Sequence, residues 1–186
     1  VYDETHGLLD SPRRPEQVRL VKGAAEFLRG LKKAGFLTVI VTNQPGIAKG
    51  TMTLKELESV NRRVARLLAA KGAKWDDLAF CPHHPKGIRR QFTMVCDCRK
   101  PGPGMLARSA KKHGISLRGS WMVGDGLNDV QAGRAAGCRT ILVSKLKLDQ
   151  VEMFFTLHNA RPSAVAAGLK DALRIIVAAK PKGGRS

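Results

Sequence analysis

Four side chains with soft or borderline donor atoms fall in two close pairs, Cys81-x-His83 and Cys96-x-Cys98, with a twelve-residue spacer between them. Three thiols and an imidazole make a complete tetrahedral set for Zn²⁺ and leave no position open for a reactant. The ion expected here is therefore a structural staple. His84 is the neighbouring candidate if His83 is not the fourth ligand. A loop of this length without regular structure is costly to order, and metal binding can supply that free energy. The fourth cysteine, Cys138, stands apart and reads as a small core residue.

A second group of residues could handle phosphate. Thr42-Asn43 follows a β-branched run and offers a hydroxyl and backbone N–H groups to a phosphoryl oxygen. Arg99-Lys100-Pro101 comes directly after the Cys/His loop, where fixed cations could neutralise a transferring phosphoryl group. Gly124-Asp125-x-x-x-Asp129 places one carboxylate at a strand end and another a helical turn later, an arrangement suited to Mg²⁺. Each piece alone reads as ordinary: a turn, a solvated loop, a helix cap. Their order and their spacing by strand–helix units give them joint meaning.

The elements that must position these residues alternate. Helical spacing runs over 24–34 and stops at Gly35. A β-branched strand is expected over 36–41, then a turn-rich loop over 42–46. Residues 53–71 read as an amphipathic helix with Leu54, Leu57, Val60, Val64, Leu67 and Leu68 on one face. Short strands are expected at 78–80, 121–123 and 140–143, and helices at 104–113, 128–136 and 163–179. In the last helix Val165, Leu169, Leu173 and Ile176 should face inward. This alternation argues for an α/β fold with a parallel sheet. Ligands then bind beyond the carboxyl ends of the strands, where Thr42 and Asp125 should meet.

With these residues in place, the chain resembles the haloacid-dehalogenase (HAD) superfamily of phosphatases. Within it, the chain is similar to the family acting on D-glycero-D-manno-heptose 1,7-bisphosphate. The resemblance rests on Val41-Thr42-Asn43-Gln44-Pro45-Gly46-Ile47-Ala48-Lys49-Gly50, Cys81-Pro82-His83-His84-Pro85, Cys96-Asp97-Cys98-Arg99-Lys100-Pro101, Pro103-Gly104-Met105-Leu106 and Met122-Val123-Gly124-Asp125. It runs from about residue 7 to about residue 144. It implies a Rossmann-like HAD domain over 1–179, with a zinc loop in place of a large cap domain and a flexible basic tail at 180–186.

The implied reaction is Mg²⁺-dependent removal of the 7-phosphate through an aspartyl-phosphate, in nucleotide-activated heptose biosynthesis, by a cytoplasmic monomer. Thr42 and Lys100 would steady the phosphoryl group, with Asn43, Gln44, Pro45 and Arg99 at the substrate. Asp125 would hold Mg²⁺, with Asp129 behind it. Histidinol phosphate is the alternative substrate, since the related phosphatase has the same type of zinc loop, typically shorter.

Three departures from the family pattern matter. The nucleophile motif Asp-x-Asp-Gly-Thr is absent, and Asp3-x-Thr5 cannot replace it, because Thr5 stands where an acid/base Asp is needed. The catalytic pair is expected a few residues before Val1, and the chain alone is expected to be inactive. Without the central strand that carries the pair, the sheet should have two unpaired edges. Pro45 and Gly126 replace a frequent Ser and Lys. The region after Ser144 matches poorly.

Composition narrows the remaining classes. The chain has 186 residues, 43% of them hydrophobic, so one full core is possible. No apolar run approaches membrane-spanning length, and the first residues lack the apolar core of a signal peptide. A formal charge of +18 raises a nucleic-acid-binding reading. Along the sequence the basic residues are scattered and aromatic residues are scarce, so the charge reads mainly as a solvated face. A phosphate-binding module without catalysis is the other alternative.

Overall fold

The computed structural model describes residues 12–145 and 160–180, together with Glu152, Phe155 and Thr156. The main elements are α1 (Ala24–Lys33), β1 (Val39–Asn43), α2 (Pro45–Ala48), α3 (Leu54–Ala69), β2 (Asp77–Cys81), α4 (Gly104–His113), β3 (Trp121–Gly124), α5 (Leu127–Ala135), β4 (Arg139–Val143), β5 (Ala164–Ala166) and α6 (Leu169–Ala178). Every strand pair is parallel: β1 with β2, β3 with β4, and β4 with β5. Parallel neighbours need crossovers, which the helices supply, so the expected α/β class is the one formed.

Burial explains the layers. Ile141 and Leu142 on β4 are both buried, as a strand covered on two faces requires. Leu31 of α1 and Ile176 of α6 share one apolar cluster with Ile141. Leu106 of α4 and Ala132 of α5 pack with Met122 in another. The α3 helix lies outside α1, joined through Leu28, Leu68 and Ala73. Its start is fixed by a reciprocal cap: the Glu56 N–H donates to Thr53 Oγ1, and the Thr53 N–H donates to the Glu56 carboxylate. Leu54, expected on the apolar face, is instead exposed at the first position of α3.

Two elements differ from the sequence pattern. The first strand occupies 39–43 rather than 36–41, because the Asp76 carboxylate takes the Thr38 N–H and hydroxyl at the lower edge. Thr42 and Asn43 therefore belong to the strand, and Pro45–Ala48 forms a helical turn. The expected helix over 163–179 is a strand followed by a helix. Val165 pairs with Leu142, and reciprocal hydrogen bonds between Thr140 and Ser163 set that register. Leu169 and Leu173 are half-buried and Ile176 is buried on α6. Of the tail expected at 180–186, all but Lys180 lies outside the described residues.

Among the described residues the strands form two sheets, β1-β2 and β3-β4-β5. No backbone hydrogen bond joins β1 to β3 among the described residues. Between them lies a cavity of about 230 Å³, walled by Val39 and Val41 on one side and Trp121 and Val123 on the other. Trp121 Nε1 is buried there without an acceptor among the described residues.

Candidate active site and metal centre

The Cys/His loop is anchored directly to the end of β1. Asn43 lies opposite Cys81 in the parallel ladder, and the Gln44 N–H donates to the Cys81 carbonyl at 2.8 Å. Cys81, at the last position of β2, is fully buried, and Cys98 is buried beside it. The donor atoms of Cys81, His83, Cys96 and Cys98 all lie within 4.8 Å of one another. Cys98 Sγ is 3.3 Å from Cys81 Sγ and 3.2 Å from Cys96 Sγ, and His83 Nδ1 is 3.3 Å from Cys98 Sγ. These separations rule out disulfides, whose S–S length is about 2.05 Å. They approach the edges of about 3.8 Å that a tetrahedron with bonds of about 2.3 Å to sulfur has.

The four residues therefore fit a metal ion. Burial, then the neighbouring Cys98 thiol, pushes the bare Cys81 thiol up to about 12. A cation at the centre would reverse that cost of ionisation. His84 is not part of the set: its Nδ1 accepts the Lys86 N–H at 3.1 Å. Cys138 packs near Leu106 and Met122, where burial raises its thiol.

Lys100 is held through both its backbone and its side chain between the two sheets. Its backbone N–H donates to Asn43 Oδ1, and its carbonyl accepts from Asn43 Nδ2, both at 3.0 Å. The side chain then spans the gap. Nζ donates to the Val41 carbonyl at 2.9 Å and pairs with Asp129 at 2.6 Å. The Asp129 carboxylate also accepts the Gly126 N–H at 3.1 Å, capping α5. Thr42 Oγ1 accepts from Gln44 Nε2 at 3.1 Å, and Gln44 is nearly buried. Asp125 is exposed at the end of β3, one residue before the α5 cap.

The structure thus brings Thr42, Asn43, Lys100 and Asp129 together at the carboxyl ends of β1 and β3. Asp125 follows directly after β3, exposed. Pro45 begins α2, and Arg99 donates to the His83 carbonyl at 3.3 Å on the metal-loop side. Two relationships escaped sequence reasoning. One is the Lys100–Asp129 pair. The other is the cationic surround of His84, whose imidazole is held below its usual range by burial and by Arg99, Lys49 and Lys86. The first has no local signal, because it joins a loop residue to a distant helix, and in the second only Lys86 is near in sequence.

The chain is similar to known proteins in sequence and in fold. The HAD-hydrolase-like family profile matches residues 97–172, so the match extends past the point where the sequence motifs fade. The chain is 42% identical over 125 residues to the D-glycero-beta-D-manno-heptose-1,7-bisphosphate 7-phosphatase of Escherichia coli (strain K12), covering 67% of this chain and 65% of that protein. It therefore spans just under two thirds of that relative's length. The protein of the same description from Rhodopseudomonas palustris is 38% identical over 122 residues, covering 66% of this chain and 68% of that one. Among solved structures, D,D-heptose 1,7-bisphosphate phosphatase from B. bronchiseptica, complexed with magnesium and phosphate, superposes with a TM-score of 0.76 at 27% identity. That match covers 90% of this chain and 89% of the other.

Proposed function

The chain belongs to the HAD-like phosphatases, and from that premise we propose that it carries the phosphate-holding part of an enzyme that removes the 7-phosphate of D-glycero-D-manno-heptose 1,7-bisphosphate. The observation that carries this reading is the placement of Lys100. Its ammonium is fixed between the Val41 carbonyl near the end of β1 and Asp129 in the first turn of α5. A cation held there before substrate arrives needs no reorganisation to neutralise phosphoryl oxygens.

In this proposal Lys100 and the Thr42 hydroxyl hold the equatorial oxygens, and Asn43 positions Lys100 through its two backbone bonds. Gln44, Pro45 and Arg99 line the substrate side. Asp125 holds Mg²⁺, with Asp129 behind it, and the metal supplies electrostatic stabilisation of the phosphoryl group when bound. The ion of the Cys81, His83, Cys96 and Cys98 set is Zn²⁺, which shapes the loop over the site. The protein acts in the cytoplasm as a monomer. Among the described residues no helix is long and apolar enough to cross a membrane.

The sequence contains no Asp-x-Asp-Gly-Thr motif. We assign the attacking carboxylate to a strand that pairs between β1 and β3. The cavity between those edges, and Trp121 Nε1 without a partner among the described residues, support that assignment. The nucleophilic Asp bonds to phosphorus as the bond to the sugar oxygen breaks, and the second Asp gives that oxygen its proton. Water then hydrolyses the aspartyl-phosphate, losing a proton to the same second Asp.

The test joins an Asp-x-Asp-Gly-Thr strand ahead of Val1 and measures phosphate release. Mg²⁺-dependent turnover of the heptose bisphosphate, absent without the added strand and abolished by Lys100→Ala, is the expected result. Faster turnover of histidinol phosphate would move the assignment to that substrate.

A further inference from the structure

The basic residues are scattered along the sequence, but the fold gathers many of them at one end. In a parallel α/β arrangement every helix that precedes a strand ends at the same edge, opposite the carboxyl ends of the strands. Contacts fix that edge here. His113, at the end of α4, and Lys112 both reach Asp77 at the start of β2. Lys180, after α6, donates to the Ala34 carbonyl after α1. The Arg139 N–H at the start of β4 donates to the Ser120 carbonyl before β3.

This end carries Lys32 and Lys33 from α1, Lys71 and Lys74 after α3, Lys111 and Lys112 from α4, and Arg118 before β3, all exposed. Arg29, Lys32, Lys33 and Lys74 line a cleft between α1 and the turn after α3, with Leu28 and Ala73 as its floor. The acids at this end are already engaged. Asp76 is held by Thr38 and Lys32, Asp77 by His113 and Lys112, and Glu152 by Arg161. Lys33, Lys71, Lys74 and Lys111 have no acidic partner among the described residues.

Helix-terminal carbonyls favour a nearby cation, which accounts for lysines in the last turns. That effect fades within one turn. It does not account for Lys74 and Arg118, which lie in the loops entering β2 and β3. A field of like charge also destabilises the compact state by self-repulsion. We infer that this end, remote from the phosphatase site, binds the phosphate backbone of nucleic acid without reading its sequence. Most of its unpaired heads are lysines, which act as point charges toward phosphate rather than as planar readers of bases. The only exposed aromatic side chain among the described large hydrophobics is Phe80, at the opposite end of β2, and the rings at this end, Phe36 and Trp75, are half-buried, so stacking on bases is a minor part of what this surface offers.

The test uses the whole chain loaded with zinc and a fluorescein-labelled DNA duplex of about 20 base pairs, with anisotropy measured from about 50 to 200 mM salt. The first variant combines Lys33→Glu, Lys71→Glu and Lys74→Glu. The control combines Lys22→Glu, Lys55→Glu and Lys170→Glu, which changes net charge equally on exposed residues elsewhere. The first variant is expected to bind at least about tenfold more weakly and to lower the log–log salt slope by about 2–3; the control should change affinity less than about threefold. A milder set with Gln at 33, 71 and 74 should give an intermediate loss. Equal losses in both sets would assign the binding to bulk charge and overturn the inference. So would no binding by the unmodified chain, or binding to phosphatidylserine vesicles but not to DNA.

Discussion

The Lys100 ammonium stands 2.6 Å from the Asp129 carboxylate and 2.9 Å from the Val41 carbonyl, so one side chain ties α5 to the open edge of β1. Both members of the pair are about nine-tenths buried, with side-chain exposures of 12% and 11%. Removing one member leaves the other as an uncompensated charge, while removing both does not. Lys100→Met is expected to lower stability by about 3 kcal/mol. In the Asp129→Leu background the same change should cost much less. Urea denaturation of the four proteins in this cycle checks it, and additive single effects would show that the pair is not coupled.

The metal loop has little else to hold it. Between Cys81 and Gly104 the regular structure is one short turn at Arg90–Phe92. Its other anchors are few: the Ile88 and Arg89 N–H groups both donate to the Ala48 carbonyl. Purified chain is expected to carry one zinc by elemental analysis, and Cys98→Ser is expected to lose it. Chelation should cost about 3 kcal/mol or more, which for a chain of this size is a fall in Tm of about 6–12 °C. Ala in place of His84, whose ring accepts from Lys86 instead, should leave the metal content unchanged.

The legible part of this site was local. Cys81, His83, Cys96 and Cys98 announce themselves because their donor types are unusual and their pairs are close in sequence. Lys100 was visible as a candidate cation, but its pairing with Asp129 was not, since the fold joins that loop to a helix distant in sequence. The phase of β1 was hidden for the same reason: Asp76 sets it from 38 positions away. Residues Ala164–Ala166 read as the start of a helix because a short apolar run fits either state. Only the open edge of β4 decides it. The cationic end is a product of topology, which turns scattered lysines into neighbours.

The same lower edge predicts a pH dependence. Hydrogen bonds from His113 and then Lys112 hold the Asp77 carboxyl well below its usual range. The Thr38 N–H does the same, more mildly, for Asp76. A carboxylate whose folded pKa is depressed contributes stability above its unfolded value of about 3.9 and loses it as the pH falls toward the folded value. Melting temperature should therefore drop between about pH 4 and pH 2. In Asp77→Asn the curve should start lower at neutral pH and be flatter across that window. Parallel curves for the two proteins would remove Asp77 from the account.

Two glycines flank Asp125, and the geometry around Asp129 separates them. A Cβ at Gly124 would lie 2.2 Å from Asp129 Oδ2 and 2.4 Å from its Cγ, closer than atoms can approach. The Asp129 side chain cannot move away without giving up both the Gly126 N–H and Lys100. A Cβ at Gly126 would meet the same oxygen at 3.5 Å, an ordinary contact, on backbone with φ of −116° that any residue adopts. Gly124→Ala is accordingly expected to cost about 2–3 kcal/mol, in the range of overpacking at a filled site. Gly126→Ala should cost less than about 0.5 kcal/mol, as surface changes usually do. If urea denaturation finds the two changes equally mild, the end of β3 yields easily, and Asp129 is not held in the place described for it.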